Sequence, residues 1–180
     1  MKRLFTAMML SSAVSLAGAK TLVAYFSCTN NTKNVAKQIA ETIGADLYEI
    51  EPEVAYTSAD LDYNNKTSRT TKEQNEPKAR PAIRNKIKNI NDYDVVYLGY
   101  PIWWGIAPKV IYTFLDSSDF GGKTIIPFCT SGSSGIGSSD TELQKLCPST
   151  TQWKSGHRFA SGCSSDTVQK WVKSVQPSKK

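Results

Sequence analysis

Much of what a metal centre, a hydrolase or a nucleic-acid reader would need is scarce in this sequence. His157 is the only histidine, and it has no evident serine or cysteine partner. It therefore reads as a surface residue rather than a catalytic base. The four cysteines, Cys28, Cys129, Cys147 and Cys163, lack the close spacing that zinc requires, so no metal site is expected. No GxxxxGK[ST] loop occurs, which excludes a P-loop nucleotidase. The formal net charge is +6 over 180 residues, but the lysines are scattered. No helix-turn-helix, RNA-recognition signature or Cys/His finger accompanies them, so no nucleic-acid partner is expected. What remains is an ordinary globular composition, 39% hydrophobic and 21% charged, of a size that suits one domain and one core.

The first nineteen residues stand apart. Lys2 and Arg3 give a positive start, Leu4 to Leu16 is mostly apolar and small, and Ala17-Gly18-Ala19 fits a small-x-small cleavage site. This is the layout of a secretory signal peptide, too short for a comfortable membrane span. Residues 1–19 are therefore expected to be a signal peptide and 20–180 the exported domain, periplasmic or secreted, with no stable membrane insertion after cleavage. Without the leader the chain would be cytoplasmic. Lys20 follows the small residues where a lipoprotein needs Cys, which argues against a lipid anchor. Export would also permit a disulfide, and Cys147 and Cys163, both in late loops, are the candidate pair.

Beyond the leader, strand and helix signals alternate. Leu22–Phe26 is a continuous apolar run, the mark of a strand buried on both faces. Thr32–Ile43 carries an apolar helical stripe, and Gly44 stops it. Further strands are predicted at Leu47–Ile50, Asp94–Gly99 and Lys123–Cys129, with a weak last one within Thr151–Phe159. Helices are predicted at Pro108–Leu115, Thr141–Leu146 and Asp166–Val175. Strands separated by helices imply right-handed crossovers and a parallel sheet, an α/β fold. Residues 51–80 interrupt the rhythm with a long polar insertion whose large apolar anchors are Tyr56, Leu61 and Tyr63.

Three strand ends share the edge at which open α/β sheets bind ligands. After the first strand comes Ser27-Cys28-Thr29-Asn30-Asn31-Thr32, dense in hydroxyls and amides and running into a helix N-terminus. One helix cap needs one such residue. Five in six positions point instead to a phosphate dianion held by unpaired N–H groups and the helix dipole. After the third strand comes Gly99-Tyr100-Pro101-Ile102-Trp103-Trp104-Gly105. Adjacent tryptophans in a short loop cannot both enter one core, so one indole is expected to face a planar ligand. After the fourth strand comes Thr130-Ser131-Gly132-Ser133-Ser134-Gly135-Ile136-Gly137, whose glycines let backbone approach a ligand ring.

The succession strand–SxTxNT–helix, then GYPIWWG, then FCTSGSSG, resembles the flavodoxin family, and within it the branch with a Pro-Ile-Trp-Trp loop. The resemblance spans Thr21 to Val175. It implies a flavodoxin-like three-layer sandwich, a five-stranded parallel sheet in the order 2-1-3-4-5, and FMN as cofactor. By position, Ser27, Thr29, Asn30, Asn31 and Thr32 would form the phosphate loop. Pro101, Ile102, Trp103 and Trp104 would cover one face of the isoalloxazine, and Thr130, Ser131 and Gly132 would meet its pyrimidine edge through backbone groups. Trp103 is the expected stacking residue, with Trp104 packed against the insertion or lining the outer pocket. Asn30 stands where the family usually has Gly, and Asn tolerates left-handed backbone better than other side chains.

Cys28 invites comparison with a low-molecular-weight tyrosine phosphatase, but the Arg that chemistry needs six residues later is Asn34. A response-regulator receiver needs an Asp at the end of its central strand, where this chain has Tyr97-Leu98-Gly99. Within the flavin family two roles are open. One is an oxidoreductase passing electrons from a reduced donor to a small acceptor such as a quinone. The other is a one-electron carrier between redox proteins. The basic charge and the insertion favour the first, while export, which removes the protein from cytoplasmic nicotinamide, tells against that donor. No particular catalytic residue or oligomeric state emerges from the sequence.

Overall fold

The computed structural model describes residues 20–175; residues 1–19, where a signal peptide is expected, and 176–180 lie outside the described residues. Five strand positions form one parallel sheet in the order β2-β1-β3-β4-β5, as expected. The strands are β1 (Thr21–Tyr25), β2 (Asp46–Glu49), β3 (Val95–Pro101), β4 (Thr124–Thr130) and β5 (Gln152–Trp153). The weak last strand is broken: β6 (His157–Phe159) also pairs with β4, beyond the interruption at 154–156. Neighbours are in register, with Val23 opposite Tyr97 and Tyr97 opposite Ile126.

Side chains alternate between two buried layers, as the two-residue period of a strand requires. Leu22, Ala24, Val96, Leu98, Ile125 and Cys129 face one side. There α3 (Lys109–Asp116), α4 (Ser139–Gln144) and the insertion cover the sheet. Val23, Tyr25, Val95, Tyr97, Ile126 and Phe128 face the other, covered by α1 (Asn31–Ile43) and α5 (Ser165–Val175). Among the described residues no helix is long and apolar enough to cross a membrane.

The cysteines follow this division. All four are free; Cys147 packs on the α3 side and Cys163 on the α5 side, with the sheet between them. The candidate Cys147–Cys163 disulfide is therefore not present. His157 is also not a plain surface residue. Its ring lies half-buried at 5.4 Å and 23° from the Trp171 ring, and burial holds its imidazole below the ordinary value.

The insertion contains a helix the sequence did not announce, α2 (Arg69–Asn75), capped by the Ser68 side chain accepting from the Thr71 N–H. Backbone bonds from Glu53 to Ala82 and from Arg84 to Glu51 close its base. Arg69 lies over the Tyr56 ring, its carbon 4.0 Å from the centroid, and donates to Glu73, which also accepts from the Tyr56 hydroxyl at 2.6 Å.

Candidate functional site

A cleft of about 620 Å³ opens at the C-terminal edge of the sheet, within the ~300–1,000 Å³ typical of ligand pockets. The three loops singled out in the sequence line it together: Ser27, Cys28, Thr29, Asn31 and Thr32; Pro101 to Gly105; and Thr130 to Ser134. Leu61 and Tyr63 of the insertion and Ser161 complete the wall. Ser161 and the insertion pair carry no local signal in the sequence beyond the apolar character of Leu61 and Tyr63. Asn30 does not line the cleft. It sits at φ 62°, the left-handed cap of α1, and so shapes the loop.

The anion end is built from backbone. No side chain caps the N-terminus of α1, and the first helical bond runs from Asn34 N–H to the Asn30 carbonyl at 2.9 Å. The donors ahead of it are left for a ligand, with the positive end of the helix dipole behind them. Thr32 is buried, and its hydroxyl meets that of Thr130 at 2.8 Å, tying the first loop to the third. Burial pushes the Cys28 thiol up to about 12, which keeps it protonated and poorly nucleophilic. Among the described residues no cluster of three His, Cys, Asp or Glu side chains is placed to hold a metal ion.

The aromatic end depends on one turn. Trp103 and Ile106 exchange backbone bonds of 2.9 and 3.0 Å around Trp104 and Gly105. The φ values of 49° at Trp104 and 80° at Gly105 are those of a type I′ turn. A tryptophan in that position is strained by about 1–3 kcal/mol, of the kind that surrounding contacts must hold. The turn sends the two indoles different ways. Trp103 is buried at 6% exposure, edge-on to Phe26 at 5.4 Å and to Tyr56 at 5.2 Å. Trp104 is half-buried and stacks on Tyr63 at 4.4 Å and 27°. Both indoles thus touch the insertion and both line the cleft, Trp103 the more buried of the two and Trp104 packed on Tyr63 of the insertion as expected.

Gln74, on α2, secures this turn. Its buried amide donates to the Trp103 carbonyl at 3.0 Å and the Ala107 carbonyl at 3.3 Å, and accepts from the Lys109 N–H at 3.1 Å. Gly137 of the third loop packs against the same turn, where a Cβ would stand 2.6 Å from the Gly105 carbonyl.

A phosphate-ready helix terminus, an aromatic wall and a glycine-rich loop on one sheet edge define a nucleotide-binding protein of the doubly wound α/β class. The chain belongs to the flavodoxin family, whose model matches residues 20–175. Two solved structures described as candidate flavoproteins are similar to it. One, from Bacteroides eggerthii, is 46% identical, covers 88% of this chain and 98% of its own, and has a TM-score of 0.81. The other, from Bacteroides uniformis, is 47% identical, covers 87% and 99%, and has a TM-score of 0.82. A flavoprotein from Lactobacillus acidophilus, solved in complex with FMN, shares the fold at 22% identity, with coverage of 86% and 99% and a TM-score of 0.64. No curated protein matches this chain.

Proposed function

We propose that this chain is an FMN-binding oxidoreductase that passes electrons from a reduced donor to a small acceptor such as a quinone. The uncapped N-terminus of α1, ringed by Ser27, Thr29, Asn31 and Thr32 at the base of the cleft, carries the reading. It is shaped for a phosphate, and the remaining walls suit a flat ring with a polar edge. FMN would supply reversible electron transfer there. This chain would hold its phosphate on the first loop, flank its ring with the Pro101–Trp104 segment and meet its polar edge with the third loop. Leu61 and Tyr63 extend the wall beyond the three loops, where a small acceptor could approach. The leader at 1–19 supports placing this activity outside the cytoplasm.

Titration with FMN and with riboflavin tests the phosphate assignment. The double variant Thr29→Ala, Thr32→Ala removes two hydroxyls, and bonds to a charged group contribute roughly 1.5–3 kcal/mol each. FMN affinity should fall about a hundredfold or more and riboflavin affinity only a few-fold; equal losses would overturn the assignment. Anaerobic reductive titration and quinone turnover then separate enzyme from carrier. Two well-resolved one-electron steps without quinone reduction would favour the carrier.

A further inference from the structure

The lining of the cleft contains no charged side chain. The guanidinium of Arg158, on β6, stands directly behind the third loop. Its Nε donates to Ser131 Oγ at 3.1 Å, and its Nη2 donates to the carbonyls of Ser131, at 3.0 Å, and Gly132. Among the described residues Arg158 forms no ion pair, so no carboxylate neutralises it.

The geometry of the peptide bond makes this arrangement directional. Among the described residues no peptide bond is cis. In a trans peptide the C=O and the following N–H point opposite ways. Two consecutive carbonyls turned toward Arg158 therefore aim the N–H groups of Gly132 and Ser133 away from it. Arg158 is not a lining residue, while Ser131, Gly132 and Ser133 are. Neither N–H has a backbone acceptor among the described residues. The Ser131 N–H is already committed to the Phe159 carbonyl at 3.2 Å. The third loop thus carries, on residues that line the cleft, two free amide donors turned away from the cation that holds their carbonyls.

We propose that Arg158 makes this wall selective for negative charge and so raises the reduction potential of the bound flavin. The inference rests on the FMN reading above. Reduction places negative charge on the pyrimidine end of the ring. A wall of donors backed by an unpaired guanidinium, with no carboxylate lining the cleft, stabilises that form over the neutral oxidised ring. Arg158 acts through the loop and its field as a positioning residue.

The test is the midpoint potential of the FMN-loaded protein, with the dissociation constants of oxidised and reduced FMN, for wild type, Arg158→Gln and Arg158→Lys. Arg158 is half-buried, so its charge is partly screened. Arg158→Gln should lose about tenfold in preference for the reduced cofactor, a downward shift of about 30 mV for a two-electron couple. Arg158→Lys, which keeps the charge without the fork, should hold the preference within about threefold. If Arg158→Gln does not fold, Arg158→Met replaces it with the same expected shift. An unchanged potential on loss of charge, or equal shifts in the Lys and Gln variants, would overturn the proposal while leaving FMN binding intact. Failure of the wild-type protein to bind FMN would overturn the cofactor reading itself, and this proposal with it.

Discussion

The Ser27–Thr32 loop and the Trp103–Ile106 turn form opposite ends of one cleft and reach their shapes by different routes. The first is local: Asn30 takes the left-handed cap, Asn31 Nδ2 donates to Thr29 Oγ1 at 3.1 Å, and α1 begins at once. The second is held from outside. Its strained turn is tied by Gln74, backed by Tyr56 and covered by Tyr63, all from the insertion between β2 and β3. The phosphate end should therefore withstand changes in the insertion, and the aromatic end should not.

The largest effect expected is at the buried indole. Trp103→Ala empties a core position between Phe26 and Tyr56 and should lower folding stability by about 3–5 kcal/mol, read by urea denaturation. Selective loss of flavin affinity at unchanged stability would mean that Trp103 is a ligand contact and not a core residue. Next is Gln74→Leu. It leaves the Ala107 carbonyl and the Lys109 N–H without their partner, while the Trp103 carbonyl keeps only the Ile106 N–H, and should cost roughly 2–3 kcal/mol. FMN and riboflavin affinities should fall together, because the ring end is disturbed and the phosphate end is not. A loss confined to FMN would erase the distinction between the two ends. The smallest is Tyr63→Ala, which removes an exposed stacking partner worth about 0.5–1.5 kcal/mol. Stability should hardly change, while Trp104 fluorescence should become more accessible to acrylamide. Unchanged quenching would show that the stack does not cover the indole in solution.

The same contrast explains what could be read in advance. The sheet order came with the family resemblance, while the strand–helix alternation and the first loop were legible because apolar runs, helix stripes and hydroxyl-rich caps are signals between near neighbours. The depth at which Trp103 is buried was not. It depends on positive φ at the bulky residue that follows, Trp104, for which Gly105 before Ile106 was the available hint. Helix α2 escaped because its buried residues are Thr70, Thr71 and Gln74, so no apolar stripe marks it; Ser68 followed by Thr71, with Pro77 beyond the end, was the signal to be found. The break between β5 and β6, and the guanidinium that β6 supplies, depend on strand pairing with β4. That pairing is invisible to a pattern read along the chain.

The separation of Cys147 from Cys163 has a consequence for the history of each molecule. Two thiols packed on opposite faces of a hydrogen-bonded sheet stay apart while that packing holds. A covalent link between them is thus a mark left by a chain that was once open, either not yet folded or since undone. In an oxidising compartment the order of events then matters more than the equilibrium. A chain that closes its sheet before it meets an oxidant keeps these two thiols apart, and one that is late is locked out of its own fold.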